Sequence, residues 1–78
     1  MESNELLQEL CNIINSIRLS AGRIAVSELK IEYQLQRDLE LDSLELAEMT
    51  VLIESKFGVD VFEEEIVTTV RDVLNKLK

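Results

Sequence analysis

Hydrophobic residues recur at helical spacing in three separate stretches of the chain. The first stretch repeats them at the period of about 3.6 residues that marks one face of an α-helix. These residues are Leu6, Leu7, Leu10, Ile13, Ile14 and Ile17. We predict a helix from about Asn4 to Ile17, with Ser3 as its N-cap and Glu5 in the first turn, where negative charge is favoured.

The second stretch, from Ser43 to Phe57, divides its hydrophobic residues between two faces when they are placed at about 100° per residue. The first face, predicted to lie in the core, comprises Leu46, Met49, Ile53 and Phe57, with Thr50 at its edge. The second face comprises Leu44, Ala47 and Val51, bordered by Glu54, Glu48 and Ser55. An apolar stripe rimmed by carboxylates predicts a docking surface for another protein. The alternative is that the preceding loop covers it.

The start and the end of this second helix carry their own signals. Asp42 can cap the helix, and Glu45 three residues later has the spacing of a capping box. Ser43 is then the first helical residue, with its hydroxyl facing solvent. A phosphodiester at Ser43 would lie at the positive end of the helix dipole. On position alone, the alternative is that Ser43 shares the capping role. Gly58 is the predicted C-terminal residue with positive φ.

The third stretch predicts a last helix, capped by Thr68 or Thr69 and ending at about Lys78. Its inward stripe is Val70, Val73, Leu74 and Leu77. Between the second and last helices, Glu63 to Val67 is long enough for one or two helical turns.

The connection between the first two helices has a nearly alternating hydrophobic pattern. Its members are Leu29, Ile31, Tyr33, Leu35, Leu39 and Leu41. One strand would have no partner in this chain, so we predict a long loop held to the helices by these residues, with one helical turn near Leu35 to Leu39. The predicted fold is all-α: a small four-helix bundle, with three principal helices and one short helix, in a single domain spanning residues 1–78.

Composition agrees with a small helical domain. The chain has 78 residues, no Pro and only two Gly, and 46% of its residues are hydrophobic. No apolar run approaches the roughly 20 residues that cross a bilayer, and the polar N-terminal segment does not resemble a signal peptide. We therefore expect a soluble, cytoplasmic protein.

The net charge of −8 is unevenly distributed. Residues 32–65 contain eleven acidic residues against Arg37 and Lys56. Such a field repels nucleic acid and attracts proteins with Lys and Arg patches. The alternative is a solvated surface that only aids solubility.

Catalytic and metal-binding patterns are not found in the sequence. The chain has no His and one Cys, which removes the usual nucleophile–His pairs, and we expect Cys11 to pack in the core. Asp38, Glu40 and Asp42 have the spacing that opens a calcium loop. That loop needs Gly where this chain has Ser43 and Glu where it has Met49, so no metal site is predicted.

The segment Asp38-Leu39-Glu40-Leu41-Asp42-Ser43-Leu44, the helix ending at Phe57 and the later Thr68-Thr69-Val70 together resemble acyl carrier proteins. The resemblance implies an acyl-carrier-like bundle in which Ser43, next to Asp42, bears a 4′-phosphopantetheine arm. A separate phosphopantetheinyl transferase would add the arm from coenzyme A. Acyl groups would then be held as thioesters and delivered to enzymes of fatty acid, polyketide or related synthesis.

The resemblance also assigns partners to the second face. It implies that acyl-loading and acyl-processing enzymes with basic patches dock on Leu44, Glu45, Ala47, Glu48, Val51 and Glu54. We call these six residues the docking face. We expect no nucleic-acid partner, no membrane span and a monomer. The chain departs from the family by having Glu40 where Gly is usual, and by a shorter segment, without Pro, between Phe57 and Thr68.

Three other functions remain open from the sequence. An aminoacyl or peptidyl carrier would use the same serine for a different cargo. An unmodified acidic adaptor would keep the docking face without an arm on Ser43. An enzyme with paired carboxylates is the least supported, because no pocket-forming segment accompanies them. We therefore predict no catalytic residues.

Overall fold

The computed structural model describes residues 3–61 and 67–77, and every regular element within them is helical. The helices are α1 (Ser3–Ser20), α2 (Ser43–Phe57) and α3 (Val70–Leu77). The predicted all-α class is confirmed. The helix predicted over residues 63–67 lies outside the described residues except for Val67, which is buried and not helical. The side chain of Ser3, the predicted first cap, is also outside the described part.

Helix α1 packs the predicted hydrophobic stripe into the core. Leu10, Ile14 and Ile17 are almost completely buried, and Leu7 lies at the edge of the core. The helix continues to Ser20, three residues beyond the end predicted at Ile17. The prediction stopped at Ile17 because that is the last residue of the periodic hydrophobic pattern. The turn after Ser20 contains Gly22, whose φ of +81° favours glycine and whose N–H donates to the Leu19 carbonyl.

Helix α2 has the bounds that its sequence pattern predicts. Met49 and Ile53 are buried, while Leu46 and Phe57 are half-buried against the core, which confirms the predicted inward face. Gly58 ends the helix with a φ of 71°, and its N–H donates to the Glu54 carbonyl at 2.8 Å. This confirms the predicted C-terminal glycine.

A buried guanidinium holds the 21–42 connection against α1. Arg18 is 8% exposed, although it carries a charge. Its Nε donates to the Ile24 carbonyl at 3.0 Å, and its Nη1 donates to the Leu39 carbonyl. Burying a charged group costs free energy unless the group is hydrogen-bonded or paired. These two carbonyls and the Glu40 carboxylate, at 3.6 Å, offset that cost for Arg18.

The connection is also fastened at Asn15 of α1. The Asn15 side-chain amide donates to the Val26 carbonyl at 3.0 Å and accepts from the Val26 N–H at 2.8 Å. Cys11 is buried beside it, as predicted, and burial raises the pKa of its thiol. The thiolate form needed for reactivity is therefore disfavoured.

The hydrophobic side chains of the connection enter the core as predicted. The buried members are Leu29, Leu35, Leu39 and Leu41. The expectation that this segment has no β partner is wrong at one position, because Gln34 forms an antiparallel bridge with Thr69. The Leu35 N–H donates to the Thr68 carbonyl at 2.9 Å, and the Val70 N–H donates to the Tyr33 carbonyl at 3.0 Å. The pairing is too short to form a strand, but it joins the connection to the start of α3.

Helix α3 begins with reciprocal capping between Thr69 and Asp72. The Asp72 N–H donates to Thr69 Oγ1 at 3.2 Å, and Asp72 Oδ2 accepts from the N–H groups of Thr69 and Thr68 at 3.2 and 3.1 Å. This confirms a threonine cap and identifies it as Thr69. The Thr68 N–H is the main reason that the pKa of Asp72 lies below its ordinary value.

No helix in the described part of the chain has the length and the apolar character needed to cross a membrane.

The lowered pKa of Asp72 predicts a pH-dependent contribution to stability. A carboxylate whose pKa is depressed by folding stabilises the fold above its unfolded pKa of about 3.9, and this stabilisation is lost as pH falls through the folded value. We expect Asp72→Asn to lower the free energy of unfolding by about 0.5–1 kcal/mol at neutral pH. Urea titrations should show this difference shrinking below about pH 4.

The matched control for this experiment is Glu28→Gln, because Glu28 is an exposed carboxylate with no hydrogen bond among the described residues. Its effect should stay near zero across the same pH range. An Asp72→Asn effect that does not change with pH would contradict the assigned role of the charge.

Candidate functional site

The start of α2 is closed by the capping box that the sequence predicts. Asp42 Oδ1 accepts from the Glu45 N–H at 2.8 Å, and Glu45 Oε1 accepts from the Asp42 N–H at 3.1 Å. Asp42 has extended backbone geometry, and its carbonyl accepts from the Leu46 N–H. The side chains of two acidic residues therefore satisfy two N–H groups at this helix end.

Ser43 is the first residue of α2 and is exposed. Its hydroxyl has no hydrogen-bond partner within residues 3–61 and 67–77. The cap is made by Asp42 and Glu45, so Ser43 does not share it. The result is an exposed primary hydroxyl beside helix N–H groups that lack intrahelical partners.

Glu45 has a second partner that the sequence did not reveal. Its Oε2 pairs with the Arg23 guanidinium, and the side chains of Arg23 and Glu45 are only 26% and 13% exposed. Arg23 is also the residue whose Nε is buried without a hydrogen-bond partner in the described structure. These two residues are 22 positions apart, so no local pattern could have indicated the pair.

Glu40 adopts the backbone conformation that favours glycine. Its φ is +63°, and among the described residues no other non-glycine residue has a positive φ. A side chain there costs about 1–2 kcal/mol because Cβ approaches the following carbonyl. The Glu40 side chain is 63% exposed and lies 3.6 Å from Arg18, so the ion pair recovers only part of that cost. Glycine, which the resemblance gives as usual at this position, would not carry this cost.

The outward face of α2 is not covered by the connection that precedes it. Leu44 is 80% exposed and Val51 is 65% exposed, and the other exposed members of the docking face are Ala47, Glu48 and Glu54. Glu45 differs from these five because its carboxylate is held by the cap and by Arg23.

Folding changes the charge distribution inferred from sequence segments. Arg18 and Arg23 lie outside residues 32–65, yet they pair with Glu40 and Glu45 near the start of α2. Glu48 and Glu54 form no ion pair within the described ranges. Within the docking face, the carboxylates without an ion pair therefore lie on the later turns of α2.

The acidic residues before α2 do not form a metal centre. In the described ranges, no cluster of three or more His, Cys, Asp or Glu residues is arranged to hold an ion. Asp38 Oδ2 accepts from the Gln34 N–H at 2.7 Å, which closes the turn that begins there. Asp42 is committed to the helix cap. Their carboxylates therefore have structural tasks.

Comparison with known proteins gives consistent matches along nearly the whole chain. A family model described as a phosphopantetheine attachment site matches residues 5–77. The chain is 32% identical over 77 residues to the acyl carrier protein of Coprothermobacter proteolyticus, covering 96% of this chain and 89% of that protein. It is 34% identical over 76 residues to the acyl carrier protein of Thermobifida fusca, covering 95% and 91%. The acyl carrier protein of Rubrobacter xylanophilus is 33% identical over 79 residues, covering 96% and 90%.

The left-handed conformation of Glu40 predicts an unusual order for the free energies of unfolding of two variants at this position. Glu40→Ala keeps the steric cost of Cβ, whereas Glu40→Gly removes it. We therefore expect the Gly variant to be more stable than the Ala variant by about 1 kcal/mol in urea unfolding.

Glu48 provides the control, because it is exposed and lies within α2. There the order should reverse, with Ala more stable than Gly by about 1 kcal/mol. The same order at both positions would show that Glu40 is not strained.

Proposed function

The chain belongs to the acyl carrier protein family, whose cofactor is phosphopantetheine, and we propose that Ser43 is the residue that bears this cofactor here. A chain of this family carries acyl groups and does not transform them, so the expectation that it is not an enzyme is confirmed by the family it belongs to. The resemblance inferred from the segment around Ser43 is confirmed in the same way.

The observation that carries the assignment to Ser43 is its free, exposed hydroxyl beside a cap that is complete without it. In the proposed modification, the Ser43 oxygen forms a bond to the phosphorus nearer the pantetheine in coenzyme A. The bond from that phosphorus to the adenosine bisphosphate breaks, and the hydroxyl proton passes to a base of the transferase. The carrier supplies an accessible oxygen, and the transferase supplies the catalytic groups.

The residues around Ser43 fit an attached phosphodiester. Helix N–H groups that lack intrahelical partners and the positive end of the α2 dipole both favour an anion there. Arg23 supplies a cation nearby, and its Nε has no partner in the described structure. When the arm is bound, its terminal thiol holds the acyl group as a thioester.

We further propose that partner enzymes dock on the exposed part of α2. Leu44 and Val51 offer apolar contacts next to the Glu48 and Glu54 carboxylates. A phosphopantetheinyl transferase and the enzymes that load and process acyl groups are the proposed partners, each with a basic patch around an apolar pocket. Tethering to Ser43 raises the effective concentration of the cargo at the partner's active site.

The remaining parts of the proposal concern the setting of this carrier. We propose that it works as a single monomeric domain in the cytoplasm and serves fatty acid, polyketide or related synthesis. A fourth, short helix and an apolar space between the helices complete the proposed bundle. The match over residues 5–77 supports one carrier domain.

The direct test of Ser43 is intact mass after incubation with coenzyme A, Mg²⁺ and a broad-specificity phosphopantetheinyl transferase. We expect a gain of about 340 Da, which corresponds to one covalent arm. Ser43→Ala should gain nothing, whereas Ser55→Ala, an exposed serine of the same helix, should gain the full mass.

An unchanged mass with several transferases would favour an unmodified adaptor. Modification that persists in Ser43→Ala would show that the arm is attached to a different residue. An aminoacyl or peptidyl carrier would pass this mass test and would differ in the group subsequently loaded on the thiol.

The docking proposal predicts salt-sensitive recognition. We expect the transferase KM for this chain to rise steeply with salt, because the Debye length falls from about 10 Å at 0.1 M to about 3 Å at 1 M. Glu48→Lys should raise KM about threefold to tenfold at low salt. Glu28→Lys makes the same charge change on an exposed residue away from α2 and should have little effect. Equal effects of the two reversals, or a KM independent of salt, would rule out this face.

A further inference from the structure

Arg23 occupies a fixed position beside the start of α2. Its backbone N–H donates to the Arg18 carbonyl at 2.8 Å, directly after the turn that ends α1. Its guanidinium pairs with Glu45 Oε2, while Glu45 Oε1 accepts from the Asp42 N–H. One carboxylate therefore joins a cation from the connection to the residue that immediately precedes Ser43.

This arrangement places the guanidinium close to the proposed attachment site. The Arg23 guanidinium and the Asp42 N–H contact the two oxygens of the same Glu45 carboxylate. The Arg23 side chain is about three-quarters buried, with 26% exposed. Charges in such surroundings are screened less by water and salt than fully exposed charges.

The guanidinium also has donor capacity that Glu45 does not use. Its Nε is buried and has no hydrogen-bond partner among the described residues. Buried polar groups in proteins are nearly always hydrogen-bonded, so this donor would gain from a side-chain shift that gives it a partner. An arginine can also contact two anions at once, because its donors are spread over a planar fork.

Attachment of the arm would add negative charge where the chain is already acidic. Asp42 and Glu45 lie within two residues of Ser43, and Glu40 lies three residues before it. A phosphodiester there has to be compensated, or it will repel these carboxylates. The helix N-terminus provides part of the compensation, and a full positive charge nearby provides more.

Other cations are poorly placed for this task. Arg18 is buried and already donates to the carbonyls of Ile24 and Leu39. Lys56 pairs with Glu9 at 2.7 Å near the far end of α2, about 20 Å from Ser43 along a helix that rises 1.5 Å per residue. Of these three cations, Arg23 is the one that pairs with a residue in the first turn of α2.

We propose that Arg23 is the charge-compensating residue for the phosphodiester on Ser43, and that it shares its guanidinium between Glu45 and the phosphate. The proposal rests on attachment at Ser43. Its consequence is that the Asp42 and Glu45 carboxylates can keep their structural roles directly beside an anionic cofactor.

A thermodynamic cycle tests this role without any enzymatic readout from the loaded carrier. Thermal unfolding is measured for the wild type and Arg23→Gln, each with and without the arm. At low salt, we expect the arm to lower the Tm of Arg23→Gln by about 2–4 °C more than it lowers that of the wild type. Near 1 M salt, where screening acts over about 3 Å, this excess should largely disappear.

Two further variants make the cycle specific. Lys56→Gln removes an ion-paired cation at the other end of α2, and its effect on Tm should be the same with and without the arm. Arg23→Lys keeps the charge and should restore most of the wild-type response. It also keeps the test decisive if Arg23→Gln does not fold.

The ³¹P chemical shift of the modified protein should differ between the wild type and the Arg23 variants, but not in Lys56→Gln.

The proposal is overturned if the Tm effects of the arm and of the Arg23 substitutions are additive, or if the ³¹P shift does not respond to Arg23. Failure of attachment at Ser43 is a separate result, read from the intact mass before the cycle begins. That result would remove the proposed attachment site itself.

Discussion

The buried guanidinium of Arg18 is the contact on which the geometry around Ser43 depends. It binds the carbonyls of Ile24 and Leu39 and so holds both ends of the connection against α1. Removal of this side chain would leave the buried Leu39 carbonyl unpaired, at a cost of about 1–3 kcal/mol. With Leu39 held in place and Leu41 buried, the chain reaches Asp42 in a fixed position, from which α2 can begin.

At the start of α2, the residues that cap the helix are different from the residue proposed to bear the cofactor. Asp42 and Glu45 satisfy the helix N–H groups, so the hydroxyl of Ser43 is left outside the hydrogen-bond network. Glu45 extends that network to Arg23, which brings a positive charge into an acidic region. A carrier needs this combination, because its modified residue must remain accessible while the helix that presents it remains well anchored.

The features that could be predicted from sequence depend on residues close together in the chain. The bounds of α2, the Asp42–Glu45 capping box and the Gly58 ending all involve groups within four positions of one another. The roles of Arg18 and Arg23 could not be predicted, because their partners lie about twenty residues away. For the same reason, the net charge counted over residues 32–65 did not show that Arg18 and Arg23 pair with acidic residues of that segment. The apolar residues of the docking face were predicted from periodicity, and the resemblance added Glu45, which the structure shows to be largely withdrawn from that face.

The central claim is that this chain carries its cofactor on the hydroxyl at the start of α2. Fragmentation mass spectrometry of the protein isolated from its own cells tests this most directly, because it locates the arm among all the serines of the chain. The account predicts release of a pantetheine fragment from the peptide containing Asp42-Ser43-Leu44 and from no other peptide. An arm on a different serine, or native protein that never bears one, would contradict it.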